Sequence, residues 1–227
     1  MYYQTSGIVL STIKYGESSV ISKIYTSEFG TQSYIINGVR KKRGGSAYYQ
    51  LLNILNLTVQ HKNDRGLQRI KEVKQKQTYS TIPFDVLKSS IAIFLAEILN
   101  KCLKEEEENQ ILYDFIEKAL ISFDQLPFDS QFHIQFMVKL SRYLGFFPNL
   151  EDSSFAYFDL RNGLFSQNNL GHKHYISDTN DLLLAFGGER VNNPKKVLNI
   201  LIEYYQLHIN GFNFIKSKDV LEKVLSV

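Results

Sequence analysis

Apolar and polar positions alternate through the first 80 residues and then fall into helical spacing. Over residues 4–14, Ile8, Leu10 and Thr12 share one face, and Val9, Ser11 and Ile13 share the other. That period of two predicts a strand. Tyr15-Gly16-Glu17-Ser18 reads as a turn, and residues 20–26, rich in β-branched and aromatic side chains, read as a second strand. Ser27-Glu28-Phe29-Gly30 is the next turn, followed by a third strand over residues 31–37. Residues 54–62 alternate again and end at Asn63-Asp64-Arg65-Gly66, a strong turn signal. Residues 67–78 alternate in part and complete five short strands, with one longer connection after the third. A small Greek-key barrel of the OB type is the natural candidate.

The pattern switches at Pro83. Val86, Leu87, Ile91, Phe94, Leu95, Ile98 and Leu99 place one apolar stripe on a helix over residues 84–104, with Pro83 and Asp85 as starting residues. Further helices are predicted over 109–126, over 129–144 (stopped by Gly145 and Pro148), from Ser177 or Asp178 to Phe186, from Asn193-Pro194 to about His208, and over 218–225. Residues 149–176 look irregular or short-stranded, with a turn at Arg161-Asn162-Gly163. The expected organisation is therefore α+β in two domains: a barrel over residues 1–80, then a mostly α-helical domain over 81–227.

Charge sharpens that division. Residues 1–80 carry 12 Lys+Arg against 4 Asp+Glu, a balance of +8, whereas residues 81–227 carry 14 against 19, a balance of −5. A positive excess confined to one half suggests a surface for a polyanion. Its densest point is Asn37-Gly38-Val39-Arg40-Lys41-Lys42-Arg43-Gly44-Gly45. Four consecutive cations cannot be buried cheaply, so this is a solvated loop, and its glycines let the backbone approach a ligand. A charged hairpin tip that only maintains solubility is the blander account. The run Glu105-Glu106-Glu107-Glu108 reads as a solvated linker or an acidic helix start.

Small barrels bind single strands with a basic groove and aromatic faces. Candidate phosphate contacts are Lys14, Lys23, Arg40, Lys41, Lys42, Arg43, Arg65, Arg69 and Lys71, interleaved with Tyr15, Tyr25, Tyr34, Tyr48 and Tyr49. Signs of catalysis are sparse. No Walker-type or dinucleotide-binding glycine pattern occurs, and no carboxylate pair stands out as an acid/base dyad. His172 and His174, with Asp178 nearby in sequence, are weak candidates for a metal. The single cysteine, Cys102, excludes an intramolecular disulfide and a Cys-based zinc site. No apolar run reaches the roughly 20 residues of a membrane span. No catalytic residue, cofactor or membrane contact is expected, and a cytoplasmic, nucleoid-associated location fits.

Several segments resemble the bacterial recombination mediator RecO. They are Gly7-Ile8-Val9-Leu10, Tyr15-Gly16-Glu17-Ser18-Ser19, Tyr25-Thr26-Ser27-Glu28-Phe29-Gly30 and Gly38-Val39-Arg40-Lys41. Leu140 to Pro148, Tyr204 to His208 and Lys216 to Leu221 continue the resemblance in order along nearly the whole chain. It implies an N-terminal OB fold, a helical C-terminal domain, and binding of single- and double-stranded DNA. It also implies strand annealing, and recombinase loading with RecR and single-stranded-DNA-binding protein. Many relatives place a four-cysteine zinc module after the segment matching Pro148. Here residues 151–175 have no cysteine, so packing through Phe155, Tyr157, Phe158 and Phe165 is expected in its place. The resemblance further implies that the helical domain docks the acidic, apolar-ended tail of single-stranded-DNA-binding protein. Lys139 and Arg142, three apart on one helix face, with Phe146 and Phe147 after them, are the candidates. A structural adaptor whose barrel binds no DNA is the alternative, and an enzyme using His172 and His174 is a distant third.

Overall fold

The computed structural model describes residues 1–39, 45–62, 65–104, 108–168 and 171–225. The N-terminal strands are β1 (Tyr2–Tyr15), β2 (Ser19–Thr26), β3 (Gly30–Ile36), β4 (Ile54–Gln60) and β5 (Gln68–Gln77). They close into a barrel in the order β1-β2-β3-β5-β4, which is the OB topology. Its one parallel contact is short, pairing Tyr34 with Gln68 and Ile35 with Arg69.

Strand β1 serves two neighbours. Tyr2 to Ile8 pair with β4, and Gly7 to Tyr15 pair with β2, with a register shift between Val9 and Ser11. At the crossover residue, Gly7, a Cβ would stand 2.6 Å from Ile24 Cγ2 and 3.0 Å from Leu57 Cδ1. A side chain there would force Ile24 or Leu57 to move. Val9, Val20, Ile24, Tyr34, Leu55, Leu57 and Val59 fill the barrel, and Phe29, Ile36, Tyr48, Ile70 and Val73 close it from the sides.

A short 3₁₀ helix, Gly45–Tyr49, lies in the connection between β3 and β4. Beyond it, Leu52 adopts a left-handed backbone, φ 62°, that its side chain disfavours. The Tyr79 hydroxyl donates to the Leu52 carbonyl at 2.8 Å, tying the chain's exit from the barrel to this turn.

Six helices follow among the described residues: α1 (Val86–Cys102), α2 (Gln110–Gln125), α3 (Phe132–Tyr143), α4 (Asn180–Gly187), α5 (Pro194–His208) and α6 (Ser217–Leu225). Helix α1 begins two residues after Phe84, because the Asp85 side chain caps it by accepting the N–H groups of Leu87 and Lys88. Helix α3 begins three residues after Asp129, whose carboxylate takes the Gln131 N–H in a local turn. Asn193 caps α5 through the Lys196 N–H, with Pro194 inside the first turn, as its sequence suggests.

Two compact units make up the chain, residues 1–128 with 215–227 and residues 129–214. The change from strand to helix near residue 80 is thus not where the compact units part. Helices α1, α2 and α6 belong with the barrel. Thr31 donates to the Leu103 carbonyl and the Tyr25 hydroxyl to the Asn109 carbonyl. Glu97 of α1 accepts the N–H groups of Lys216 and Ser217, fixing the start of α6.

The second unit combines α3, α4 and α5 with a small sheet of β6 (Tyr157–Asp159), β7 (Leu164–Ser166) and β8 (Tyr175–Ile176) in the order β7-β6-β8. Gly163 makes the β6–β7 turn with φ +66°, and a Cβ there would meet the Tyr204 hydroxyl at 2.6 Å. The core is aromatic. Phe158 lies 4.9 Å from Phe165, 5.7 Å from Phe186 and 5.8 Å from Tyr204, centroid to centroid. Of the other aromatics expected to pack here, Tyr157 meets Tyr175 edge to face, while Phe155 is half-buried. No described helix is long and apolar enough to cross a membrane.

Candidate nucleic-acid interface

Strand β5 outruns its parallel partner. Strand β3 ends at Ile36, so among the described residues β5 pairs with β4 alone from Ile70 to Gln77. A cleft of about 380 Å³ lies beside this edge. Ile35, Ile36, Val39, Tyr48, Tyr49, Ile70 and Val73 supply its apolar surface, and Asn37, Arg69 and Lys71 its polar groups.

Register explains why cations reach this cleft. On β5, Ile70 and Val73 turn to the core, opposite Val59 and Leu57. The pairing passes from Val59–Ile70 to Thr58–Glu72, which leaves Lys71 as the extra residue of a β-bulge. A second shift, between Ile54 and Leu55, leaves Lys76 unopposed in the same way. Arg69, Lys71, Lys74 and Lys76 are all exposed along the strand. Lys76 is held by Glu117 at 2.7 Å, and Lys71 lies 4.8 Å from the Tyr2 ring. Arg69 and Lys74 have no partner among the described residues.

Arg40, Lys41, Lys42 and Arg43 lie outside the described residues. Their flanks do not: Val39 and Gly45 both line the cleft that holds Arg69 and Lys71. The chain that carries the four cations therefore leaves and re-enters at this cleft.

The other candidates scatter. Lys14 is exposed near the tip of the β1–β2 hairpin, and Arg65 is exposed in the β4–β5 turn. Lys23 is turned towards α1, where its ammonium donates to the Asn100 carbonyl at 3.4 Å. Burial, and then Lys104, lower its pKa. Among the tyrosines, Tyr34 is 0 % exposed and Tyr25 and Tyr49 are buried, so none of these three offers a free ring face. Burial lifts the hydroxyl pKa of Tyr25 and of Tyr49 to about 12, Tyr48 adding to the latter. Tyr15 is open to solvent, and Tyr48 packs one side on the core while lining the cleft.

The outer surface of β1, β2 and β3 has a different chemistry. Ile13, Ile21 and Ile35 pair in register and form an aliphatic row across it. Ile13 is 60 % exposed and the other two are half-buried. Sequence alternation assigned Ile13 a face but could not show that three isoleucines align.

In the second unit, Lys139 and Arg142 are exposed on α3. The Arg142 guanidinium stacks 3.4 Å from the centre of the Phe147 ring. Phe146 turns inward, stacked on His208 at 5.2 Å and edge-on to Tyr205 at 4.9 Å. His172 faces Asp159 at 3.5 Å, and His174 Nδ1 lies 2.7 Å from Glu203. Among the described residues, no group of three or more His, Cys, Asp or Glu is placed to hold a metal.

Comparison with known proteins agrees along the whole chain. The family model described as Recombination protein O N terminal matches residues 1–79, and that for Recombination protein O C terminal matches residues 83–218. Among curated relatives, the DNA repair protein RecO of Flavobacterium johnsoniae is 34 % identical, covering 100 % of both chains. That of Flavobacterium psychrophilum is 36 % identical with the same coverage, and that of Bacteroides fragilis is 33 % identical over 99 % of each chain. The chain belongs to the RecO family of DNA repair proteins.

Proposed function

We propose that this chain is a non-enzymatic, DNA-binding mediator of recombinational repair. Two complementary strands repel through their phosphates, and a basic surface lowers that repulsion while releasing condensed counterions. Strands held together in this way can anneal. The observation that carries the proposal is the cleft, where Arg69, Lys71 and both flanks of the four-cation loop meet on the barrel with the positive excess. Lys14 and Arg65 extend the surface. Single- and double-stranded DNA both supply the phosphates it needs.

RecR and single-stranded-DNA-binding protein are the proposed partners in loading recombinase onto gaps. Lys139 and Arg142 can rim a site for an acidic tail, with Phe147 under the Arg142 guanidinium as apolar surface. Phe146, packed on His208 and Tyr205, anchors the segment that carries Phe147.

One observation favours a second reading, an adaptor that meets only proteins. The Ile13–Ile21–Ile35 row offers apolar area without rings or charges of its own. A strand-annealing assay with complementary oligonucleotides, with and without RecR, separates the two. A mediator accelerates pairing, whereas an adaptor leaves the spontaneous rate unchanged.

A further inference from the structure

The cleft beside β5 has more than charge. Its aliphatic lining comes from Ile35, Ile36, Val39, Ile70 and Val73, and the half-buried Tyr48, packed against the barrel core, lines it as well. Asn37 lies at the cleft with its Oδ1 accepting from the Ser19 hydroxyl at 3.2 Å, and its Nδ2 has no partner among the described residues. Arg69 and Lys71, two residues apart on β5, add two cations. The volume, about 380 Å³, falls in the range of small-ligand sites.

Aliphatic side chains, a tyrosine, an amide donor and two cations around one cleft match one chemical unit, a nucleotide. We propose that this cleft receives a single unpaired base of a DNA strand, stacked against Tyr48, with the adjoining phosphates on Arg69 and Lys71. The inference rests on the DNA-binding function proposed above and adds a preference to it. A duplex has phosphates but no free base, so it engages the cations and leaves the slot empty.

The test uses the full chain, a single-stranded oligonucleotide carrying one 4-thiothymidine, and the matching duplex. On irradiation, the cross-linked peptide from the single strand is expected to contain Tyr48, and the duplex is expected to give no cross-link there. Tyr48→Ala should weaken single-strand binding about tenfold, the loss of one stacked base, and leave duplex binding unchanged. Its salt slope should match wild type, because no phosphate contact is removed. Arg69→Ala/Lys71→Ala should weaken both DNAs and flatten the single-strand slope by about 1.4. The cross-link needs no variant, so a poorly folding Tyr48→Ala does not block the test. A cross-link elsewhere, or equal losses on both DNAs from Tyr48→Ala, would overturn the base slot while leaving DNA binding intact. Absence of any DNA binding by wild type would overturn both.

Discussion

The carboxylate of Asp124, near the end of α2, accepts the backbone N–H of Ile82 at 2.9 Å. The same group takes the N–H of Thr81 and of Ser80, each at 2.8 Å, and the Ser80 hydroxyl at 2.9 Å. The segment leaving the barrel is thus threaded onto one buried side chain. Burial alone would raise the pKa of Asp124. The donors, led by the N–H groups of Ser80, Ile82 and Thr81, outweigh it and hold the pKa at about 2, against an ordinary 3.8. A depressed carboxyl stabilises the fold fully above its ordinary value and loses that contribution as pH falls from about 4 towards 2. Asp124→Ala should cost about 3 kcal/mol, because the N–H groups of Ser80, Thr81 and the buried Ile82 lose their shared acceptor. Urea denaturation checks the cost at pH 7. Acid titration by circular dichroism checks the sign: the gap between wild type and variant should narrow as pH falls from 4 to 2.

Lys88 completes that junction from α1. It is 3 % exposed, and its ammonium donates to the carbonyls of Leu126 at 2.7 Å and Asp124 at 3.0 Å and to the Thr81 hydroxyl at 2.8 Å. A cation at the carbonyl end of α2 also complements the helix dipole. Lys88→Met keeps the stem and removes the donor, and should destabilise by about 2 kcal/mol. Lys88→Ala should cost more, since it also opens a cavity beside Phe123. Comparing the two by thermal denaturation separates hydrogen bonding from packing.

Gly7→Ala tests the barrel's tightest contact. The new methyl meets Ile24 and Leu57 inside the allowed distance, so the strands must part or the side chains must shift. A loss of about 1–3 kcal/mol is expected. A change below about 0.5 kcal/mol would show that β1 adjusts freely at its crossover.

Zinc should be absent from the purified protein. Phe158 and Phe165 fill the core of the small sheet, the chain has one cysteine, and among the described residues no group of three or more His, Cys, Asp or Glu is placed to hold a metal. Elemental analysis is expected to find far less than one zinc per chain, and a chelator should leave thermal stability unchanged. Stoichiometric metal, or a large loss with chelator, would contradict this.

The barrel was legible because inward and outward residues of a strand differ by one position, and Val20 to Thr26 or Ile54 to Gln60 carry that period openly. The helices were legible for the same kind of reason, with starts displaced where Asp85 and Asp129 use their side chains locally and at α4, which Thr179 precedes rather than Ser177 or Asp178. The cleft was not legible. It exists because β3 stops at Ile36 while β5 runs on to Gln77, and because two bulges change which β5 residues face outward. Neither fact is local to any segment. Tyr25 and Lys23 misled for a related reason, since only the tertiary fold brings α1 and α2 over their strand face. Asp124 and Lys88 read as ordinary charges on helices, and their donors and acceptors lie up to 44 residues away.

The basic surface as the DNA contact is tested most directly by the salt dependence of single-strand affinity. About five neutralised phosphates predict a log–log slope of about −3.5, a roughly hundredfold loss between 50 and 200 mM salt. Changing Arg40, Lys41, Lys42 and Arg43 together to Ala should weaken binding to every sequence alike and flatten the slope by up to about three units. The fold should survive, because four consecutive cations cannot be buried cheaply and solvated charges contribute little to stability. A folded quadruple variant with wild-type affinity and an unchanged slope would contradict the account.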